Sequence, residues 1–505
     1  MLYLTLPPHP PLGFYVLIEG SHYKNVWLET QPMGGAMYGV RNLRVALNNQ
    51  LIFIRTQRAD GRLPGVISRV GSTGSGIINP SFSYPGRSNL SMLQGFYMAS
   101  PAVDVAFLMN ISNSDTSLVT AYLDELRPAL ERFVSWIWSE RNSSSGMLWL
   151  NTTADTGEDG SDKYTPIPSN NITPPFESMD MQGYAFDAER ALARIARLQG
   201  NTSAVEAWTA RMETTAAALN VRLWREEEGA AFDRERDGAQ QYVSTLVHNN
   251  LRAMWHGVYS QSMADAFIAR HLMNSSEFWT PTPLTSISAA DPRFKDVDGN
   301  NWSGPSEGLT FQRAIRALTF YGHHAELLLI GERQKFALSK TMQFPQQINP
   351  FTSQPDKGDC YGPMLLSLLE NTALTTGIAV RAEPPTLLWS SFAINTTTMT
   401  PTFVFTQTLG TSVYQLEGFT NGTFVGQLNG VYLFSVVGGQ GRIVTGLDGV
   451  VIGVIGASSF TETLQLSIPN VIQPIILTVA PNEEWSIMGN ATPTRTRQVP
   501  FSPPF

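Results

Sequence analysis

Apolar side chains between about residues 25 and 380 recur at helical spacing, in stretches separated by Gly- and Pro-rich loops. Gln182–Gly200 shows the pattern: Tyr184, Ala188, Ala191, Leu192, Ile195 and Leu198 fall three and four apart, on one helix face. Gly200 and Asn201 punctuate its end. Ser203-x-x-Glu206 reads as a capping box that opens a second helix through Trp208, Met212 and Leu219, giving a helical hairpin. The same reasoning predicts helices over Gly39–Gln57, Pro101–Met109, Thr120–Arg141, Thr245–Tyr259, Ser262–Leu272, Leu309–Tyr321, His323–Ser339 and Pro363–Thr376. Many helices without a βαβ alternation predict a bundle or toroid.

Past Pro384 the texture changes to Thr, Val, Ile, Gly and Phe, with few charges. Val431–Val437, Arg442–Val444, Val450–Ile455, Thr463–Ile468 and Ile475–Val479 read as strands, with turns at Asn429-Gly430 and Asp448-Gly449. The expectation is a mainly α domain over 25–383 followed by an antiparallel β-sandwich over 384–494. Residues 1–24 read as an N-terminal extension. Residues 495–505, with Pro500, Pro503 and Pro504, read as a loose tail.

Charge removes some functions. A net charge of −8 argues against a nucleic-acid partner, which requires a basic face. No apolar run is long enough to span a bilayer. The start, broken by Pro7, Pro8, Pro10 and Pro11, is a poor signal peptide. N-x-S/T acceptors are nevertheless dense, at Asn89, Asn110, Asn142, Asn151, Asn171, Asn201, Asn274, Asn301, Asn395, Asn421 and Asn490. They predict a secreted or secretory-lumen protein whose leader lies outside this sequence. Cys360 is the single cysteine and has no disulfide mate in the chain.

Four segments could carry chemistry. Thr153–Tyr164 crowds Asp155, Glu158, Asp159 and Asp162 into a Gly-bearing loop, where mutual repulsion would raise a carboxyl toward general-acid use. Its plainer alternative is a solvated acidic loop. Asp298–Gly308 holds Trp302, whose indole suits the apolar face of a sugar or a place in the core. Phe344–Pro363 is a long polar loop offering Gln346, Gln347, Asp356, Asp359 and Tyr361, or a simple connector. Trp27–Gly39, Gln57–Gly65 and Met92–Tyr97 add Trp27, Glu29, Gln57, Arg58 and Asp60 near helix ends. Nucleophile-elbow, phosphate-loop and H-E-x-x-H motifs are missing, and His271, His323 and His324 lack metal-ligand company, so no cofactor or metal is expected.

The order of these motifs resembles the inverting (α/α)6 glycosidases of the mannosylglycerate hydrolase and processing α-glucosidase type, a group related to trehalases. The resemblance covers about residues 25–380. Gln57, Asp60, Gly61 and Pro64 match a Q-x-x-D-G-x-x-P segment, and Gln94-Gly95-Phe96 stands where a Gln-Pro-Pro-like segment is expected. Thr156-Gly157-Glu158-Asp159 matches the S-G-x-D loop, and Trp302-Ser303-Gly304-Pro305 matches W-x-G-P. The resemblance implies an (α/α)6 toroid, a carbohydrate substrate and Asp159 as general acid. It also implies a sugar site lined by Trp27, Glu29, Gln57, Asp60, Gln94, Asp162, Trp302 and Tyr361.

The last motif departs. Where the family carries E-x-x-N-P-x-T-G, this chain reads Gln346-Gln347-Ile348-Asn349-Pro350-Phe351-Thr352-Ser353. The expected base is Gln346, and an amide cannot take a proton from water. Three explanations stand open: Glu307, Asp356 or Asp359 serves as base; phosphate is the nucleophile, with Lys357 as the basic residue in that loop; or the site binds sugar without cleaving it.

Overall fold

A computed structural model describes residues 2–6, 12–21, 23–70, 76–82, 95–112, 116–150, 152–164, 175–299, 301–356, 360–391, 401–419, 422–438, 441–487 and 492–505. Its helices run in the order α1 (Gln31–Tyr38), α2 (Leu43–Arg55), α3 (Ala99–Ser112), α4 (Thr116–Arg141), α5 (Met179–Leu198), α6 (Thr202–Arg222), α7 (Asn249–His256), α8 (Gln261–Phe267), α9 (Gly308–Tyr321), α10 (His324–Ser339) and α11 (Gly362–Thr376). Every predicted helix is present within a few residues at its ends. Helix α1, with Pro32 at its start, is not among the predicted helices.

The helices form inner and outer layers. α5 is buried on nearly every face and all eight residues of α7 are buried, whereas α6 fully buries only Thr215 and Leu219. A helix buried all round belongs inside, and one with a narrow apolar stripe belongs outside. The α5–α6 hairpin forms as expected, but its cap is different. Asn201 is the N-cap, its side chain accepting from Ala204 N at 3.1 Å and from Ser203 Oγ at 3.0 Å. Asn is as good an N-cap as Ser and stands two residues earlier, so Ser203 falls inside the first turn.

Leu2–Leu6 and Leu12–Val16 join Gly76–Ser81, Val66–Val70 and Val26–Trp27 in a five-stranded sheet, so the N-terminal extension is part of the fold. The chain beyond Thr376 makes two six-stranded sheets. The first has the order Gly377–Arg381, Thr386–Ser391, Arg442–Thr445, Val451–Ile455, Glu483–Ser486, Thr494–Gln498. The second runs Pro401–Leu409, Ser412–Phe419, Phe424–Leu428, Val431–Val437, Glu462–Ser467, Ile475–Val479. Trp389, Ile443 and Val454 of the first share one apolar core with Tyr414, Phe434 and Leu464 of the second. Asn429 and Gly430 take φ of 50° and 77°, the primed-turn geometry that their dipeptide signals.

The tail is not loose. Thr494–Gln498 is a strand, Ser502 N donates to Glu326 Oε1 at 2.8 Å, and Phe505 N donates to Met273 O at 3.2 Å. Prolines stop further pairing there but do not prevent docking on α10 and on the turn after α8. Asn482 locks the same junction, giving its Nδ2 to Glu326 Oε2 at 2.8 Å and accepting from Ala325 N at 2.8 Å.

Candidate active site

The inner helices begin at one end of the domain, and their first turns bring polar groups together. Asp180 lies in the first turn of α5, Asn249 opens α7, and Glu307 is the N-cap of α9. Asn249 Nδ2 bonds Asp180 Oδ2 at 2.5 Å and Glu158 Oε2 at 3.1 Å. The acidic loop 153–164 lies over this junction. Trp302 N donates to Asp159 O at 3.1 Å, Ser303 Oγ donates to Gly160 O at 3.0 Å, and Arg252 of α7 donates to Thr156 O at 2.9 Å. Thus the loop is stitched to the W-S-G-P segment on one side and to α7 on the other.

The sequence suggests mutual repulsion among the four carboxyls of this loop, but three of them face a cation. Arg141 stands with Asp155 at 3.4 Å, Lys163 with Glu158 at 2.7 Å, and Lys295 with Asp162. Burial pushes Glu158 upward, but Lys163, Arg252 and His248 outweigh it and hold this carboxylate well below 4.5. Asp159 and Asp162 are half-buried, whereas Asp155 and Glu158 are buried.

A second set of acids gathers beside the loop, around Arg313. Its guanidinium lies 4.0 Å over the Tyr97 ring centroid and 3.6 Å from Glu29. Its Nε, Nη1 and Nη2 are buried with no hydrogen-bond acceptor. Both oxygens of Glu307 are likewise buried and unbonded. Burial, then the charges of Glu29 and Asp356, push Glu307 well above 4.5. Glu19 is buried, receives the Tyr361 hydroxyl at 2.9 Å, and is raised well above 4.5 by burial and by the charges of Glu29 and Asp159. Three carboxyls thus lean on one guanidinium, and burial raises the proton affinity of Glu19 and Glu307. The Tyr97 and Tyr184 hydroxyls and Trp27 Nε1 are further buried polar atoms without a partner, and Trp27 packs on Ala154 of the acidic loop. Native structures leave few such atoms, and a cluster of them needs a reason.

The mannosylglycerate hydrolase MGH1-like glycoside hydrolase domain matches residues 31–362. The chain belongs to this glycoside hydrolase family. Solved structures share the architecture at low identity. A mannosylglycerate hydrolase from Thermus thermophilus, in complex with glucose, is 15% identical with a TM-score of 0.54, over 70% of this chain and 95% of that one. The neutral trehalase of Saccharomyces cerevisiae is 12% identical with a TM-score of 0.54, over 71% and 73%. Comparison with curated proteins by sequence returns no match.

In this MGH1-like domain the residues named from the sequence divide. Asp159, Trp27, Glu29, Glu307, Gln346, Trp302 and Tyr361 converge on the loop and the Arg313 cluster. Gln346 is buried, with Oε1 accepting from Tyr23 at 2.7 Å. Trp302 is 2% exposed and its ring stacks on His248 at 5.3 Å, so it forms a wall and not an open sugar platform. Asp162, paired with Lys295, sits at the rim. Gln57 and Asp60 lie elsewhere. Gln57 donates to Gly61 O and Ala129 O at 2.7 and 2.9 Å and accepts from Arg132, pinning its turn to α4. Asp60 is exposed and paired with Arg58, a local turn contact that keeps it at the surface. Asp356 is taken up by Gln347 Nε2 at 2.5 Å and Gly299 N at 2.7 Å. Gln94 and Asp359, and Lys357 with them, lie outside the described residues.

Sequence reasoning missed Glu19, Tyr23, Arg252 and Arg313. Arg313 had a signal. It falls four residues from both Leu309 and Ala317, on the apolar stripe of its helix, where a charge is rare without a task. A cavity of about 770 Å³ lined by Arg190, Arg194, Arg316 and Trp255 lies toward the far ends of α5, α7 and α9 and shares none of these site residues.

Proposed function

We propose that this chain hydrolyses an O-glycosidic bond with inversion at the anomeric carbon, with Asp159 as general acid. Its helices would close as an (α/α)6 toroid, and its two terminal sheets would pack as a β-sandwich. One observation carries the reading: the Arg313 fork, both Glu307 oxygens, the Tyr97 hydroxyl and Trp27 Nε1 are buried and unbonded around the loop that bears Asp159. A sugar suits that set, because each of its hydroxyls both donates and accepts. Leaving such groups unsatisfied costs about 1–3 kcal/mol each, so the cluster favours a densely hydroxylated ligand.

Substrate screening begins with mannosides and glucosides, following the mannosylglycerate hydrolase neighbour that holds glucose. Asp159→Asn tests the acid. A loss of about 10²–10⁴-fold in kcat on substrates with a poor leaving group is expected. Full activity on those substrates would remove Asp159 from the mechanism. Gln346 taken alone favours a rival, a sugar-binding protein without turnover. It predicts saturable binding of a glycoside by the wild type with no product by NMR.

The chain is further proposed to mature in the secretory pathway. Asn110, Asn142 and Asn201 are exposed sequons. At Asn201 the capping atom is Oδ1, which leaves Nδ2 for a glycan. Expression in a eukaryotic secretory host with peptide mapping should show glycans at these sites; bare asparagines at all three would contradict the assignment.

A further inference from the structure

We propose that Glu19 is the general base of this hydrolase, the carboxylate that takes over where Gln346 cannot act. The inference rests on the reading of Asp159 as the acid and adds the second group that inversion needs.

The placement begins with the backbone. Gly20 pairs with Tyr361 as an antiparallel bridge, and Gly362 N donates to Glu19 O at 2.5 Å. The two chains approach so closely that a Cβ on Gly20 would stand 2.4 Å from Cys360 O. The side chains then interlock. Tyr23 gives its hydroxyl to Gln346 Oε1 at 2.7 Å, its ring meets Tyr361 edge-on at 6.3 Å, and Tyr361 gives its hydroxyl to Glu19 Oε1 at 2.9 Å. Glu19 therefore shares the surroundings of Gln346. The missing carboxylate is supplied by a neighbouring strand of chain.

The other acids are placed less well. Glu29 presses on the acid's own loop, its Oε2 standing 2.1 Å from where a Cβ on Gly157 would be, so it lies on the side of Asp159 and not across from it. Inversion needs the two carboxyls about 6.5–9.5 Å apart with water between. Glu158 is consumed by Lys163, and Asp356 by Gln347 and Gly299. Glu307 has no donor to hold an anion in place. Glu19 has the Tyr361 hydroxyl, and Arg313 offsets the charges of Glu29 and Asp159 on it. Burial raises its proton affinity above that of an ordinary carboxylate, and the Tyr361 hydroxyl bond opposes that rise.

The step balances. Asp159 gives its proton to the glycosidic oxygen as the bond from C1 to that oxygen breaks. Water bonds to C1 on the opposite face while Glu19 takes the water's proton. The enzyme is left with Glu19 protonated and Asp159 ionised, and one proton exchange with solvent resets it.

The test uses the full chain on nitrophenyl and dinitrophenyl glycosides. Glu19→Gln should lose on the order of 10³-fold in kcat on both, because water activation is needed whatever the leaving group. Asp159→Asn should lose the nitrophenyl rate and keep the dinitrophenyl rate, which separates failure of the acid from failure of the base. Azide should restore Glu19→Gln turnover and give a glycosyl azide of inverted configuration. Adding Gln346→Glu to Glu19→Gln should restore hydrolysis. Wild-type kcat in Glu19→Gln, or a loss that neither azide nor Gln346→Glu repairs, overturns the proposal. Should Glu19→Gln not fold, Tyr361→Phe decides the matter. Removing a hydrogen bond that favours the Glu19 anion must move the acidic limb of kcat/KM to higher pH, and an unmoved limb refutes the assignment.

Discussion

Gly157→Ala is the sharpest probe of how the acid loop is held. Gly157 has φ of +74°, where a side chain costs about 1–2 kcal/mol. It also has no room. An added Cβ would lie 2.1 Å from Glu29 Oε2, and ordinary contact begins at 3.4 Å, so the carboxylate must retreat by 3.4 − 2.1 = 1.3 Å. Its terminus could swing away from solvent-facing neighbours cheaply, but Glu29 is buried and faces Arg313 at 3.6 Å. Overpacking of that kind costs about 1–3 kcal/mol, for a total of about 2–5 kcal/mol. Gly146→Ala is the control. Its φ is +79° and nothing stands within 4 Å, so it should lose only the backbone part. Urea unfolding of both variants isolates the clash as the difference, about 1–3 kcal/mol, provided the m-values agree. A shift of about 1 Å at a reacting group can cost about 10²-fold in rate, so kcat of Gly157→Ala should fall while that of Gly146→Ala stays. Equal unfolding midpoints for the two variants would refute the packing of Glu29 on the loop.

Two more outcomes follow from the buried charges. Glu307 is raised in the folded protein, so wild-type stability is fully present below 4.5 and declines as pH rises through the folded value. Glu307→Gln does not titrate. Its stability relative to wild type should be flat below pH 4.5 and climb above it, with a slope of at most about 1.4 kcal/mol per pH unit; a parallel pair of denaturation curves across that range contradicts the burial argument. Lys163→Met removes the cation facing Glu158, Asp180 and Asp233 at 2.7, 3.7 and 3.8 Å, and should cost about 3–5 kcal/mol at pH 7. Asp233, already raised to about 6 by burial, would rise further without Lys163, so the loss should shrink as pH falls toward 5. Thermal melts from pH 5 to 8 read this directly.

Local information decided most of what the sequence showed on its own. Helical spacing, the change to β texture near residue 384 and the Asn429-Gly430 turn depend on a residue and its close neighbours, so they were visible without coordinates. The acidic loop was visible too, as was the amide at 346 in place of a carboxylate. What partnered each charge was not. Asp155, Glu158 and Asp162 read as mutually repelling because their cations, Arg141, Lys163 and Lys295, are assigned only when separate segments pack. Gln57 and Asp60 carried a motif, yet one pins its turn to α4 and the other pairs with Arg58 at the surface. Glu19 offered no local signal, being a single acid before a glycine. It is proposed as a site residue because Gly20 and Tyr361, remote in sequence, pair their backbones, and only a tertiary contact can bring this carboxyl near the amide at 346.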